Sequence, residues 1–260
     1  MLFSDRPREL YSHAPVHEVI CQLRFPAILS INQNEPAEFQ ESIRDTFPQY
    51  ARRQDVSPPK ITGIGTPNVQ VQTPPPVTNY HFLSADGAWK LNLTRDFIAL
   101  STLRYPGWEE FAHHLDRPLA SFIRLYQPAW FLRVGLRYRN LISRRQLDLQ
   151  DTPWTELFAS AYTGPMREND IAEERVTQFS TDMTLKLDSS CHVKIHAGPG
   201  LVKTRDNSAD PEVKFLLDLD LFMSGNVSCT LAAASLETLH GHASRVFEGA
   251  ITDTLRDAIR

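Results

Sequence analysis

The feature that most constrains the fold of this chain is one pattern of elements that occurs in both of its halves. An apolar strand-like segment at residues 19–25 is echoed at 133–138, and each is followed by a helix that begins beside a proline, Pro36 or Pro153. Each half then runs through short strand-like segments to a long amphipathic helix. Repetition on this scale is typical of structural units that pack against copies of themselves. We therefore expect an α+β fold of two similar units, residues 1–128 and 129–260, packed as a pseudo-twofold pair in one compact body.

The spacing of apolar residues predicts the same order in each unit: strand, helix, several antiparallel strands and a long helix. Predicted strands lie at residues 17–25, 80–83, 89–93, 97–103, 130–142, 175–187, 192–196 and 214–223, with a short edge strand as one alternative at 69–72. Predicted helices lie at 108–126, 154–161 and 236–259, and a further helix after Pro36 carries Phe39, Ile43 and Phe47 on one face. Pro118 is expected to kink or split the first long helix. Proline and glycine predict that residues 52–78 are mostly loop and that 198–213 form a mobile hairpin loop.

The composition indicates a globular protein that works in the cytoplasm. Hydrophobic residues make up 42% of the chain and charged residues 22%, and the formal net charge of −4 gives no overall attraction to nucleic acid or anionic membranes. The first residues lack the apolar core of a signal peptide, and no apolar run approaches the roughly 20 residues that cross a bilayer. The three cysteines lie far apart, without the spacing of a metal or redox motif. We expect reduced thiols and no membrane partner.

The best candidate for a functional surface is a row of arginines on the strand that opens the second half. Their even spacing places three of them on one face of the strand: Arg133, Arg137 and Arg139. Lys194 adds a cation on a later strand, and Asp218 and Asp220 alternate on a strand after that. One interpretation is a polar face that binds phosphate or an RNA backbone. The other is that the acids and bases pair with one another across neighbouring strands of a solvated sheet.

Metal and cofactor sites are not indicated. Asp218 and Asp220 are weak candidates for a shared divalent cation, because alternation offers only Asp182 as a third carboxylate. The chain has nine histidines, but the neighbouring ones diverge; His240 and His242 lie two positions apart on a predicted helix and point to different sides. We therefore expect neither a metal nor a cofactor.

Signatures of catalysis are missing as well. The sequence has no Gly-x-Ser-x-Gly elbow, and none of its cysteines has a protease or redox context. Residues 198–204 superficially resemble a phosphate loop, but they lack the glycine directly before Lys203 and the helix that should follow. No catalytic residue is assigned, and the balance favours a protein that is not an enzyme.

A combination of longer motifs supports a comparison with a known family. The motifs are PVHEVICQLRFP at 15–26, FIALST at 97–102, Tyr-x-x-Trp-x-x-Phe from residue 105, RVGLRYxN from 133 and VFExxITD from 246. In these motifs, which span nearly the whole chain, the sequence resembles a sporadically distributed prokaryotic family of uncharacterised proteins of similar length. The resemblance implies a bacterial cytoplasmic protein and carries no established activity. The patchy distribution of the family suggests genes exchanged within defence or toxin–antitoxin islands.

Two hypotheses of function follow. The first is a non-enzymatic protein-interaction or accessory component of a bacterial system, with another protein or a second copy of the chain, as in a homodimer, for its partner. The second is a protein that binds or processes a phosphate-containing ligand or nucleic acid (RNA) on the face of Arg133, Arg137, Arg139 and Lys194. The second hypothesis places the functional surface in the second half of the chain.

Overall fold

The computed structural model describes residues 2–56, 58–62, 69–203 and 209–260. The strands are β1 (Val16–Arg24), β2 (Gln49–Asp55), β3 (Lys60–Thr62), β4 (Gln70–Gln72), β5 (Val77–Leu83), β6 (Trp89–Leu93), β7 (Phe97–Thr102), β8 (Phe131–Ile142), β9 (Thr181–Lys186), β10 (Cys191–Lys203) and β11 (Ala209–Val227). Nine of them form one sheet in the order β2-β5-β6-β7-β1-β8-β11-β10-β9, and β3 pairs with β4 apart from it. Every described pairing is antiparallel. The expected α+β class with antiparallel strands is confirmed.

The helices are α1 (Ala37–Ile43), α2 (Trp108–Tyr126), α3 (Trp154–Leu157), α4 (Ser160–Thr163), α5 (Ala232–Ala250) and α6 (Asp253–Ile259). Short 3-10 turns occur at Leu29–Asn32, Gly164–Arg167, Glu173–Arg175 and Cys229–Leu231. The two long helices are α2 and α5, one in each half of the chain. Among the described residues, no helix is both long and apolar enough to cross a membrane.

The centre of the sheet is the antiparallel pair of β1 and β8. Three fully or nearly buried pairs lie opposite each other there: Val19 with Tyr138, Cys21 with Leu136, and Leu23 with Val134. Residues 1–128 and 129–260 thus contribute adjoining parts of one sheet and one core. Proceeding outward, β7, β6, β5 and β2 follow β1, whereas β11, β10 and β9 follow β8.

The hydrophobic core lies between one face of the sheet and the apolar sides of the helices that pack on it. Aromatic contacts mark this layer: Phe122 of α2 with Phe25 after β1 (ring centroids 4.7 Å apart), Phe39 of α1 with Phe82 of β5 (5.5 Å), and Trp154 of α3 with Phe215 of β11 (5.4 Å). The two long helices meet where Trp108 of α2 stacks on His240 of α5, with ring centroids 4.6 Å apart. Alternation along each strand sends the remaining side chains to the opposite face.

Pro118 does not split its helix. Residues 108–126 form one continuous helix, as their apolar spacing predicts, and Pro118 is buried within it. Proline removes one backbone hydrogen bond and crowds the preceding turn. The apolar stripe of Phe111, Leu115 and Phe122 is buried in the core and holds the helix on the sheet. Packing of that stripe therefore outweighs the local effect of proline.

Two segments predicted as loops are strands in part. Residues 52–78 contain the end of β2, the strands β3 and β4, and the first two residues of β5. Within 198–213 the strands β10 and β11 stay paired as far as Lys203 and Ala209. Beyond Ala197, β11 is the one strand in the described part of the chain that pairs with β10, and an edge of this kind tolerates Pro199. Residues 57, 63–68 and 204–208 of these predicted loops lie outside the described residues.

The predicted elements between β8 and β10 are shorter than expected. The helix expected at 154–161 is two one-turn helices, because Phe158 between them is extended and forms a bridge with Ile251. The strand expected at 175–187 is a strand only over Thr181–Lys186. Here the contact of Phe158 with a distant part of the chain overrides the local helical spacing.

We expect Leu136→Ala to destabilise the protein strongly, because Leu136 is fully buried at the centre of the sheet. Leucine-to-alanine changes in a core cost about 2–5 kcal/mol. Leu132→Ala on the same strand is the matched control, since Leu132 is 45% exposed and its loss should fall within about 0.5 kcal/mol. Urea unfolding measures both free energies. Similar losses in the two variants would contradict the central position of the β1–β8 pair.

Candidate functional site

The arginines expected to form a functional surface lie together on the face of the sheet opposite the helical layer. Arg139 lies opposite Asp218 and Arg137 opposite Asp220 in the β8–β11 register, and Lys194 of β10 is the partner of Asp220 on the other side. We call this surface the polar face; its central residues are Glu18, Gln22, Arg133, Arg137, Arg139, Asp182, Lys194, His196, Asp218 and Asp220.

A two-pronged ion pair on the polar face joins Arg137 to Asp218. The guanidinium donates from Nε and Nη2 to the two carboxylate oxygens at 2.8 and 2.5 Å, and Asp218 is only 5% exposed. The hydrogen bonds from this guanidinium to Asp218 raise the pKa of Arg137. A two-pronged contact of this kind fixes the arginine in place as well as neutralising the acid.

The other two arginines are also paired. Arg139 donates from Nη1 to Glu18 of β1 at 2.7 Å. Arg133 donates to Asp220 at 2.6 Å and lies 4.7 Å from the centre of the Phe222 ring. A Cβ atom at Gly135 would lie 2.0 Å from a nitrogen of Arg133, so the glycine is what allows this guanidinium to lie flat across its own strand. The pairing of acids and bases across strands, one of the two interpretations of the sequence, describes this geometry.

Lys194 differs from the arginines. It is exposed, and no carboxylate among the described residues lies within ion-pair distance of it. Two shallow depressions of about 330 and 450 Å³ meet at Lys194, Arg137 and Asp220. The polar face therefore has one free cation at its centre, within the part of the chain that the structure describes.

The weak metal candidates, Asp218 and Asp220, are bound to arginines, whose guanidinium groups lie against the carboxylate oxygens that a cation would need. Asp182, the third carboxylate considered, bonds instead to His196 Nδ1 at 2.7 Å. This arrangement does not fit a divalent cation at Asp218 and Asp220.

A second place of interest, which the sequence did not predict, is a cleft of about 390 Å³ on the helical side of the sheet. It lies between the N-terminal segment 8–16, the loop before α2, the centre of β8 and the middle of α5. Tyr138 and His240 meet there, with 2.8 Å between the phenol oxygen and Nδ1, and the Tyr105 hydroxyl lies 3.5 Å from that of Tyr138. Alternation along β8 predicts that Tyr138 is a core residue, and only its hydroxyl, which follows Val134 and Leu136 on the same side of the strand, signals another role.

The polar groups of this cleft are strongly perturbed. Burial lowers the pKa of His240 to about 4 and raises the pKa of Tyr138 well above its ordinary value. With the Tyr138 hydroxyl donating to Nδ1, the imidazole proton lies on Nε2, which is buried without a hydrogen-bond partner among the described residues. Nearby, Tyr11 donates to Glu248 at 2.5 Å, and the buried Glu248 also pairs with Arg256 at 3.1 Å. The cleft thus offers hydrogen-bonding groups in an aromatic setting, beside a buried carboxylate that is held by Arg256.

No protein-family model matches this chain, and no curated protein sequence matches it. Its function is therefore inferred from the geometry of its own residues.

We expect Arg137→Gln to lower the free energy of unfolding by about 1.5–3 kcal/mol, because it leaves the buried Asp218 carboxylate without its two-pronged partner. Lys194→Gln is the control on the same face and should change stability by no more than about 0.5 kcal/mol. Adding Asp218→Asn to Arg137→Gln should restore part of the loss, since the two residues act as a unit. Denaturant unfolding of five proteins checks this: the wild-type chain, the single variants Arg137→Gln, Asp218→Asn and Lys194→Gln, and the double variant. A loss in the double variant equal to the sum of its two single losses would contradict the coupling.

We expect His240 to make stability depend on pH. Burial lowers the pKa of this imidazole from 6.5 to about 4, so between these values the unfolded chain binds a proton that the folded chain does not. The free energy of unfolding contributed by His240 is therefore complete above pH 6.5 and falls as the pH drops toward 4.

Urea unfolding across this pH range measures the effect, with His240→Gln and the exposed His113→Gln as a matched pair. The slope of stability against pH should become shallower in His240→Gln and stay unchanged in His113→Gln. Equal slopes in all three proteins would show that His240 is not held neutral by the fold.

Proposed function

We propose that this protein is a non-enzymatic interaction component that binds a protein partner on its polar face. The observation that carries the proposal is the row of fixed ion pairs, Arg133 with Asp220, Arg137 with Asp218 and Arg139 with Glu18. A surface of this kind presents alternating charges in a defined pattern. It is suited to recognising a complementary pattern of charges rather than a single anion.

Fixed side chains favour protein binding for an entropic reason. Long side chains lose rotamer freedom when they enter an interface, and this loss is smaller where they are already held. Arginine is also enriched in protein interfaces, where its planar group combines apolar contact with hydrogen bonding. On this face the partly buried Ile20 and Phe222 lie among the ion pairs and add apolar area.

The first partner to consider is a second copy of the chain. A surface that carries both signs of charge in alternation can match itself across a twofold axis, where each acid of one copy meets a base of the other. From the family resemblance we also propose that the protein is bacterial and belongs to a defence or toxin–antitoxin system. We propose that the protein is located in the cytoplasm, and its three free cysteines are consistent with a reducing compartment.

Lys194→Glu is the sharpest test, because Lys194 is exposed and its replacement breaks no ion pair that the structure describes. We expect the wild-type chain to sediment as a dimer at micromolar concentrations and Lys194→Glu to sediment as a monomer. Arg124→Glu is the matched control, since Arg124 is exposed on α2, on the helical side of the sheet. Sedimentation velocity on the three proteins distinguishes them.

A partner of a different sequence would be found by a photo-crosslinking residue placed at Thr184, which is exposed on the polar face, and at Arg124 for comparison. In the native host, a single crosslinked protein at position 184 and none at 124 would support the proposal. A monomeric chain that gives no position-specific crosslink would contradict it.

The second hypothesis, a phosphate-containing ligand or nucleic acid, is favoured by one specific observation. At one end of the polar face a depression of about 550 Å³ is lined by His17, Arg139, His196 and Lys214, with no carboxylate among its lining residues. Arg139 Nε is buried there without a hydrogen-bond acceptor among the described residues, and it lies 3.8 Å from an Asp218 carboxylate oxygen. Salt-dependent RNA binding that is lost in Arg139→Gln would support this hypothesis, and its absence at low salt would exclude it.

The expected pseudo-twofold relation of the two halves is also part of the proposal. The outward order of strands supports it: β1, β7, β6, β5 in one half and β8, β11, β10, β9 in the other. When the two halves are aligned so that Glu18 corresponds to Arg133 and Gln22 to Arg137, Cys21 corresponds to Leu136. Cys21 and Leu136 also lie directly opposite each other in the β1–β8 register. A twofold axis between two antiparallel strands must pass through such a pair. We therefore assign the partner-binding surface to the part of the polar face that the second half forms.

A further inference from the structure

Three metal-ligating side chains that are distant in the sequence converge beside the turn between β9 and β10. Asp188 and Cys191 belong to the turn and the start of β10, and His242 reaches them from α5. One carboxylate oxygen, the Cys191 sulfur and one imidazole nitrogen lie within 4.8 Å of one another. The cluster is separate from the polar face and from the cleft at His240.

The carboxylate of Asp188 is already oriented by the turn. Its Oδ1 accepts from the backbone N–H groups of Ser190 and Cys191, each at 2.8 Å, and from the Ser190 hydroxyl at 3.2 Å. Its Oδ2 faces His242 Nε2 at 2.9 Å. Hydrogen bonds that orient a carboxylate in this way are typical of the shell that surrounds metal ligands.

The geometry does not fit a cysteine nucleophile. His242 directs Nε2 to the carboxylate of Asp188, so this imidazole does not act as the base for the Cys191 thiol. Cys191 has 0% exposure, which leaves it no access to a substrate of any size. A nucleophile needs both a neighbouring base and an open side.

The set of donors matches zinc. Sulfur, imidazole nitrogen and carboxylate oxygen together suit Zn²⁺, whereas Mg²⁺ and Ca²⁺ prefer sites made of oxygen alone. Zinc bonds of about 2.0–2.3 Å place neighbouring ligand atoms roughly 3.3–3.8 Å apart. Small rotations of the three side chains would bring their ligand atoms, now within 4.8 Å of one another, to these distances. We propose that Asp188, Cys191 and His242 bind one Zn²⁺ ion, with a fourth position open to water.

Such an ion would fasten the β9–β10 turn, at the edge of the sheet, to the middle of α5. Access is from the side of Asp188 and His242, whose side chains are 38% and 20% exposed. A ligand that binds only the folded chain stabilises it by mass action, so zinc should raise the melting temperature.

The test uses the full chain without a histidine tag, stripped with a chelator and kept reduced. Cobalt is the optical probe, since a Cys-bound Co²⁺ gives a thiolate charge-transfer band in the near ultraviolet that Zn²⁺ then displaces. We expect one Co²⁺ per chain with this band, and a melting temperature that rises with zinc. Cys191→Ser should lose the band and His242→Ala should lose both effects.

Cys229→Ser and His113→Ala are the matched controls and should behave as the wild-type chain does. His242 is only partly buried, so His242→Ala keeps the test decisive if Cys191→Ser fails to fold, and circular dichroism verifies each variant. Failure of the wild-type chain to bind Co²⁺ or Zn²⁺ at micromolar concentrations would overturn the proposal. So would binding that survives His242→Ala, or a charge-transfer band that is kept in folded Cys191→Ser.

Discussion

The antiparallel pairing of β1 with β8 is the interaction on which the rest of the structure depends. It joins the first and second halves of the chain into a single sheet, and its buried centre, Cys21 opposite Leu136, lies under the helical layer. Because the register is set along both strands, a shift by one residue would turn every core side chain to the other face. The same register brings Glu18 opposite Arg139 and so begins the row of ion pairs on the polar face.

The polar face shows how a local pattern acquires its meaning from its neighbours. Even spacing on β8 is enough to place the three arginines on one face, but their availability depends on β11, which brings Asp218 and Asp220 into contact with them. Gly135 matters in the same way, since its missing side chain leaves room for Arg133 to lie across the strand. A row of cations that would attract an anion becomes a row of ion pairs. This is why the proposed partner is a protein with a matching pattern of charge.

Long periodic elements were predicted well, and interrupted or composite ones were not. The helix over residues 108–126 follows from local spacing and occurs at those positions. The helix expected over residues 236–259 is interrupted, because α5 ends at Ala250 and α6 begins at Asp253. The helix expected at 154–161 was wrong because Phe158 pairs with Ile251, a contact between residues far apart in the chain. Neither the cleft at Tyr138 and His240 nor the cluster of Asp188, Cys191 and His242 has a sequence signature, since each is assembled from separate elements.

The sequence by itself determined the α+β class, the helix over residues 108–126 and the shared face of the three arginines on β8, because these depend on periodicities of two and about 3.6 residues that are local to each element. Only the tertiary structure decided which strands are neighbours, and therefore which charges are neutralised. It also decided that Lys194 stands without an ion-pair partner among the described residues. The physical reason is that ion pairing acts over a few ångströms, and side chains separated by 81 residues, such as Arg137 and Asp218, reach that distance only when the sheet forms.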